Sequence, residues 1–467
     1  MPARYPALAV DPSPLGQPLQ FQYSSVIAPN RFMKAAMTER LATWDGSATS
    51  PTSGIPDAAL FNLYKQWGAG GWGMVVTGNI LVDPRHIEAP GNMILPVDAP
   101  LSGPRFAGYQ RLAQAGKEGG SLFVAQLNHP GRQISAAIQT DPVSASDVQL
   151  AKPYAGMKFA KPHAATLDEI EEIQRAFVRA STYLQSAGFD GIQIHGAHGY
   201  LIAQFISPKT NRRADAYGGG IANRARFAME LGDAIRAATG PDFLIGIKVN
   251  SVEFEDSGFS TTEAAVLVEL LEKHGYDFVE LTGGTYEAPG WHHQRESTKK
   301  REAFFLDFAE LLVPHMNSLR CYLTGGLLTT RAMVDVLESG IDGVGLARPS
   351  GSEPDLPRLL LHDITTTKSV EEASGKTYSC LKPVQLYGED EGIGIRAVIA
   401  GAQMRLMSLG FKAFDPSVEE NFSGFMRDYQ YWMDSMKQRK EEDPMGHIDL
   451  MSIKATPYEG KVAEPLR

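Results

Sequence analysis

Eight times along this chain a short apolar run closes on glycine or a polar residue and gives way to a stretch with helical spacing. That alternation constrains the fold more than any other feature. The predicted strands are 32–37, 73–77, 122–127, 191–195, 243–249, 278–282, 321–324 and 343–347. The clearest helices between them are predicted over 58–67, 105–117, 167–187, 221–238, 262–273, 302–313 and 330–338. Runs of Val, Ile and Leu without polar alternation suit a parallel sheet covered on its outside. Gly188 and Gly340 follow helices where the chain must turn left-handed, and Asp168 and Glu169 fall in a first helical turn, where carboxylates favour the dipole. Eight β-then-α units point to an α/β fold, a (β/α)8 TIM barrel, rather than an open doubly wound sheet. The open sheet stays as the structural alternative. It is weakened because the first strand runs into Lys34-Ala35-Ala36-Met37-Thr38 with no G-x-G-x-x-G after it.

The barrel and its lead-in are assigned to residues 1–364, and a mostly helical C-terminal extension to 365–467. Residues 1–31 read as an extended N-terminal cap on the barrel floor. In the extension, 365–368, 392–409 and 422–439 look helical. Phe425, Tyr429, Trp432 and Met433 recur there at helical spacing, as a stripe packing on the barrel or on a second subunit would, so a homo-oligomer is a candidate state. A net charge of −10 with no long basic run disfavours nucleic acid as a partner. The only two cysteines, Cys321 and Cys380, are too few for a four-thiolate cluster and fit a reducing compartment. Pro2, Pro6, Pro12, Pro14 and Pro18 interrupt the first residues, which lack a secretory apolar core, and no stretch is apolar enough to span a bilayer. The expectation is a cytoplasmic protein, with no membrane partner, acting on a small molecule.

In a barrel of this kind chemistry sits at the C-terminal strand ends. Those ends carry Thr38, Gly78, Gln126, the His195 to Tyr200 segment, Lys248, Thr282-Gly283-Gly284, Gly325-Gly326 and Arg348. The set is rich in donors and poor in carboxylates, which suits an anionic, hydrogen-bonding ligand. Gly325 and Gly326 before a helix, with Ala347-Arg348 ending the last strand, fit a phosphate site made of backbone N–H groups and a guanidinium. The plainer reading is turn glycines and a surface arginine. In Gly191-Ile-Gln-Ile-His195-Gly-Ala-His198-Gly-Tyr200, two imidazoles fit the binding of a carbonyl oxygen and the phenol fits proton delivery. A metal is the rival use of two His, but no Asp, Glu or Cys on that loop supplies a third ligand, and no metal is expected.

The segment Ile194-His195-Gly-Ala-His198-Gly-Tyr200-Leu201-Ile-Ala-Gln-Phe205-Ile-Ser207-Pro208, continuing through Asn211-Arg212-Arg213-Ala-Asp215-Ala-Tyr217-Gly218-Gly219, closely resembles the old yellow enzyme family. So do Asn30-Arg31-Phe32, Gln126-Leu-Asn-His129-Pro130-Gly131-Arg132 and the Gly325-Gly326 and Arg348 segments. The resemblance covers roughly 15–360. It implies FMN across the barrel mouth with NADPH or NADH as reductant. Ala36, Met37 and Thr38 would touch the flavin, the Thr38 hydroxyl donating to the C4 carbonyl. Gly78 and Gln126 would meet the pyrimidine edge, and Lys248 would lie near N1 and the C2 carbonyl. Gly325, Gly326, Ala347 and Arg348 would hold the phosphate. His195 and His198 would bind the substrate carbonyl, hydride would pass from flavin N5 to the β-carbon of an activated alkene, and Tyr200 would protonate the α-carbon.

The chain departs from one branch of the family by carrying Thr38 where that branch has Cys and Arg40 where it has Tyr. Lys248 stands where Arg is frequent, which keeps the charge but loses the fork. Two cysteines exclude the iron–sulfur cluster of larger relatives. The loop 286–300, with Trp291, His292, His293 and Arg295, reads either as a pocket lid or as a solvated polar loop. Two other functions stay open: a flavin-free phosphate-binding lyase using Lys248, which leaves the His/His/Tyr segment unexplained, and a barrel with a binding or assembly role alone.

Overall fold

The computed structural model describes residues 3–151, 157–250, 261–283, 306–366, 378–384, 389–436 and 446–459. Eight parallel strands close into a barrel: β1 (Phe32–Lys34), β2 (Met74–Leu81), β3 (Leu122–Asn128), β4 (Gly191–Gly196), β5 (Leu244–Asn250), β6 (Phe278–Thr282), β7 (Arg320–Thr324) and β8 (Gly343–Leu346). Closure is made by β1, whose Met33 pairs with Gly345 of β8 on one side and with Met74 of β2 on the other. Helices α1 (Ala58–Gly68), α2 (Gly103–Gly116), α3 (Leu167–Ser186), α4 (Arg226–Thr239), α5 (Thr261–Lys273), α6 (Leu306–Leu312) and α7 (Thr330–Glu338) pack around it. The single helix predicted over 221–238 is divided at Ala225 into Ile221–Arg224 and α4. The acidic first turn of α3 is part of a full capping box, with Thr166 and Glu169 each satisfying the other's backbone N–H.

Several strands differ from the continuous apolar runs that the sequence suggested. In β4, Ile192 and Ile194 join the core facing the helices while Gln193 and His195 alternate with them. In β5 and β6, Ile245, Ile247, Val249, Val279 and Leu281 face the helices, and Lys248 and Glu280 stand on the opposite parity. Every residue of these strands is buried, so the alternation separates an apolar outer face from an interior that turns polar toward the mouth.

The interior is apolar at the floor. A hairpin of Leu19–Gln20 and Ile27–Ala28 carries Phe21 into it. The Phe21 ring meets Phe278 at 5.9 Å between centroids, and Phe278 meets Tyr322 at the same separation. Gly246 makes room for this plug, since a Cβ there would stand 2.1 Å from the Phe278 ring. Asp277 pins the hairpin to the barrel by accepting from Ser24 N–H (2.8 Å), Ile245 N–H (2.8 Å) and the Arg236 guanidinium (2.6 Å).

After α8 (Leu356–Thr366), the extension adds α9 (Glu389–Ser408) and α10 (Glu419–Met436). Asn62 and Gln66 of α1 donate to Ser408 O (3.2 Å) and Phe411 O (2.9 Å), fixing the end of α9 on the barrel. Phe425, Tyr429 and Trp432 stack on one another at 6.0 Å and pack in a small core of the extension itself, with Ile395, Ile399, Phe414 and Ile453, while Met433 stays 38% exposed. Among the described residues no helix is long and apolar enough to cross a membrane.

The floor plug makes a measurable claim. Phe21→Ala removes a fully buried ring and should cost about 3–5 kcal/mol, seen as a lower urea midpoint. A loss below about 1 kcal/mol would mean that the hairpin is not part of the barrel core.

Candidate active site at the barrel mouth

Polar side chains of the upper interior form one chain across four strands. The Gln126 side-chain amide donates to Gln193 Oε1 (2.8 Å), and Gln193 donates to Glu280 Oε2 (2.8 Å). Glu280 Oε1 lies 2.8 Å from Lys248 Nζ, both side chains at most 4% exposed. Strand register produces this, because Lys248 is level with Glu280 on β6 and with His195 on β4, and Gln126 with Gln193. A buried ammonium without a partner would be costly, and Glu280 meets that need. The cation expected at Lys248 is therefore half of a neutral pair.

His195, level with Lys248, stands together with His198. Their ring centroids are 5.1 Å apart, and His198 Nδ1 is 3.4 Å from His195 Nε2. Ala197 N–H reaches His195 Nδ1 at 3.4 Å, which leaves the His195 proton on Nε2, directed at His198, and the His198 proton on its outer nitrogen. Burial first, then the Lys248 charge, lowers His198 to about 3, and burial, His198 and Lys248 hold His195 well below its ordinary value. Both rings are neutral donors at physiological pH. His198 takes φ +56°, a left-handed conformation, and is held there by Asn250 Oδ1 accepting from its N–H (3.1 Å) and by the Gln133 amide donating to its carbonyl (3.0 Å). Tyr200, 4% exposed, packs its ring 4.6 Å from that of His195 and opens the short helix Leu201–Ile206.

The end of β1 brings Ala36, Met37 and Thr38, all half-buried, over the same opening. The Thr38 hydroxyl belongs to a network that the sequence did not reveal, accepting from Asn79 Nδ2 (3.1 Å) and lying 3.5 Å from Glu88. Gly78 sits in a register shift of β2, and its N–H donates to Glu39 Oε1 (2.9 Å). A Cβ at Gly78 would come 2.1 Å from Glu39 Oε2 and 2.4 Å from Met37 O, so glycine is required for the β1 end to pass. The Tyr64 hydroxyl also donates to Glu39. Burial raises the Glu39 pKa against these bonds, and burial brings Lys34, which donates to Val76 O (3.0 Å) over the Trp67 ring, down to about 7.

After β7 and β8, next to β1, Gly325 and Gly326 take φ of 134° and 75°, and Arg348 begins the short helix Arg348–Ser352. Among the described residues no carboxylate acts on Arg348. Burial, then the positive Arg396, lowers its guanidinium to about 10. A partly buried cation beside another cation and a glycine-lined turn fits an anionic phosphate. Gly283 follows β6, while Gly284 and the loop 286–300 lie outside the described residues.

Residues 14–366 match the model of the NADH:flavin oxidoreductase / NADH oxidase family. The chain belongs to that family. The NADH-dependent flavin oxidoreductase nadA of Aspergillus parasiticus is 43% identical over 406 residues, 86% of this chain and 87% of the relative. Among solved structures, 2-naphthoyl-CoA reductase in complex with 2-naphthoyl-CoA superposes with a TM-score of 0.67 at 22% identity, over 82% of this chain but 56% of that longer one. The old yellow enzyme homologue from Zymomonas mobilis gives 0.59 at 23% identity over 79% of this chain and 99% of its own. At such identity these neighbours bear on the fold alone, and both agree with the barrel. The chain is thus an NAD(P)H-dependent flavin oxidoreductase of the old yellow enzyme type, with FMN as its cofactor.

The oxidoreductase also contains a buried group that the sequence reading passed over. Asp83, His86 and His129 bring ligand-type atoms within 4.8 Å of one another. Their hydrogen bonds suit a braced carboxylate better than a metal. Gly131 N–H donates to His129 Nδ1 (3.1 Å) and Val143 N–H to His86 Nε2 (3.4 Å), so the protons sit on the nitrogens facing Asp83. Burial raises the Asp83 carboxyl, but the facing His129 ring, at 3.8 Å, and hydrogen bonds from His86 and Arg85 outweigh it and hold the group well below the usual carboxylate range. The cluster steadies the His195–Tyr200 segment, since His129 O accepts from Leu201 N–H (3.0 Å), next to Tyr200. The signal for it in the sequence was Asn128-His129-Pro130-Gly131-Arg132, which carries the family resemblance but no sign of a contact with Asp83 or His86.

His129 gives a pH prediction. Burial lowers it from 6.5 to about 4 in the folded protein, so between those values the unfolded chain binds the extra proton. Its contribution is complete above pH 6.5 and declines as pH falls toward 4, by up to about 3 kcal/mol. Urea midpoints of the wild type should fall more steeply over that window than those of His129→Asn. Parallel profiles would show that His129 is not held neutral.

Proposed function

We propose that this oxidoreductase is an ene-reductase acting on α,β-unsaturated carbonyl or nitro compounds. The observation that carries the reading is the neutral imidazole pair, His195 and His198, packed against Tyr200 beside the Lys248–Glu280 pair. When bound, FMN supplies a hydride taken from NADPH or NADH to the β-carbon of the alkene. Residues of this chain do the rest. Arg348, Gly325, Gly326 and Ala347 hold the cofactor phosphate. Gln126 and Lys248 serve the pyrimidine edge, with Ala36, Met37, Thr38 and Gly78 along the β1 and β2 ends.

The substrate oxygen accepts an N–H from each imidazole, which requires the His195–His198 bond to open as the ligand enters. Neutral donors stabilise negative charge growing on that oxygen without binding a resting anion as tightly as a cation would. Tyr200 then gives its proton to the α-carbon, completing addition of one hydride and one proton across the double bond. The nicotinamide and the alkene would take turns at one opening, so no second dinucleotide site is called for.

Tyr200→Phe separates the two halves of the cycle. Anaerobic stopped-flow should show flavin bleaching by NAD(P)H within about threefold of the wild type, and reoxidation by an enone slowed about 10²–10⁴-fold. Equal slowing of both steps would remove Tyr200 from proton donation.

A further inference from the structure

The end of the barrel that carries Arg348 is wrapped by segments from both ends of the chain. Arg4 bridges to Leu381, and Thr329 to Ser379. Glu353, the carboxylate that follows the Arg348–Ser352 helix, is fully engaged by this wrapping. It meets Arg4 at 2.9 Å, accepts from the Tyr378 hydroxyl at 2.5 Å and accepts from Leu381 N–H at 3.0 Å.

Helix α9 of the extension lies directly on the Arg348–Ser352 helix. The two helices meet at Gly351 and Ala400, where a Cβ on Gly351 would stand 3.5 Å from the backbone and side chain of Ala400, an ordinary packing distance. One turn before Ala400, Arg396 extends over the Tyr5 ring at 5.6 Å, and its Nε is buried without a hydrogen-bond partner. Arg396 is near enough to Arg348 for its positive charge to weigh on that guanidinium. Two guanidiniums that act on one another, with no carboxylate of the described residues acting on Arg348, oppose folding unless an anion joins them.

We propose that Arg396, supplied by the extension, is a second ligand of the FMN phosphate, so that α9 clamps the cofactor from outside the barrel. The proposal rests on the reading of Gly325, Gly326 and Arg348 as the phosphate site. A dianionic phosphate accepts from both arginines, neutralises their repulsion and gives the buried Arg396 Nε its acceptor. The extension then has a role that the barrel alone does not fill: its docking and cofactor retention are one event.

Comparison of FMN with riboflavin, which lacks the phosphate, tests this on the full chain freed of flavin and titrated by quenching of flavin fluorescence. Arg396→Ala should weaken FMN binding about 10- to 100-fold and leave riboflavin binding within about twofold. Arg396→Lys should recover part of the loss, and Arg396→Gln reads the same difference should the alanine protein not fold. Unchanged FMN binding, or equal loss for FMN and riboflavin, would overturn the clamp. A wild type that binds riboflavin as tightly as FMN would instead overturn the phosphate site on which the clamp depends.

Discussion

Closure of the barrel passes through three residues. Phe32–Lys34 must bond β8 along one edge and β2 along the other, and among the described residues no other strand joins those two. A parallel barrel has no free edge only if this short strand holds. Its brevity also has a use: the chain leaves the sheet at Ala35, and the following residues, Ala36 to Glu39, turn over the mouth. There Glu39 ties the segment back to Gly78 and Tyr64. The same constraint sets the level of every other strand end, and so places His195, Lys248 and Glu280 side by side.

Charge at the mouth is balanced rather than accumulated. Lys248 is matched by Glu280, and the two imidazoles remain neutral because burial and Lys248 both oppose a second positive charge. The exception is the rim after β7 and β8, where the positive Arg396 acts on Arg348 and no carboxylate of the described residues does. One side of the opening is arranged for hydrogen bonding to a neutral polar group, and the other for an anion.

The strand-and-helix alternation was legible because both periods are local: eight runs ended within a few residues of their observed bounds. The His195 to Tyr200 segment was legible as a cluster because its members lie within six positions. Glu280 was not. It lies in Phe278-Val-Glu-Leu-Thr282, and only the register to Lys248 shows that its parity faces inward. Glu39 resembles a solvated loop charge until Gly78 and Tyr64 are brought to it across the barrel wall. His86 and His129 are 43 positions apart in the chain and meet only because β2 and β3 are neighbours. The aromatic stripe of α10 was visible at once, but its partners, Ile395, Phe414 and Ile453, come from elsewhere in the extension rather than from the barrel. Local pattern gave the elements; pairings set by closure gave the site.

The central claim is that this mouth holds a flavin that passes a hydride to an activated alkene. One cuvette tests it most directly: the visible spectrum of the purified protein, followed anaerobically on addition of NADPH or NADH and then of an enone. The account predicts a yellow protein that bleaches with the nicotinamide and regains its colour with the enone. A protein that bleaches but is not reoxidised by enones or nitroalkenes would contradict the ene-reductase assignment, and one that takes up no FMN would contradict the site itself.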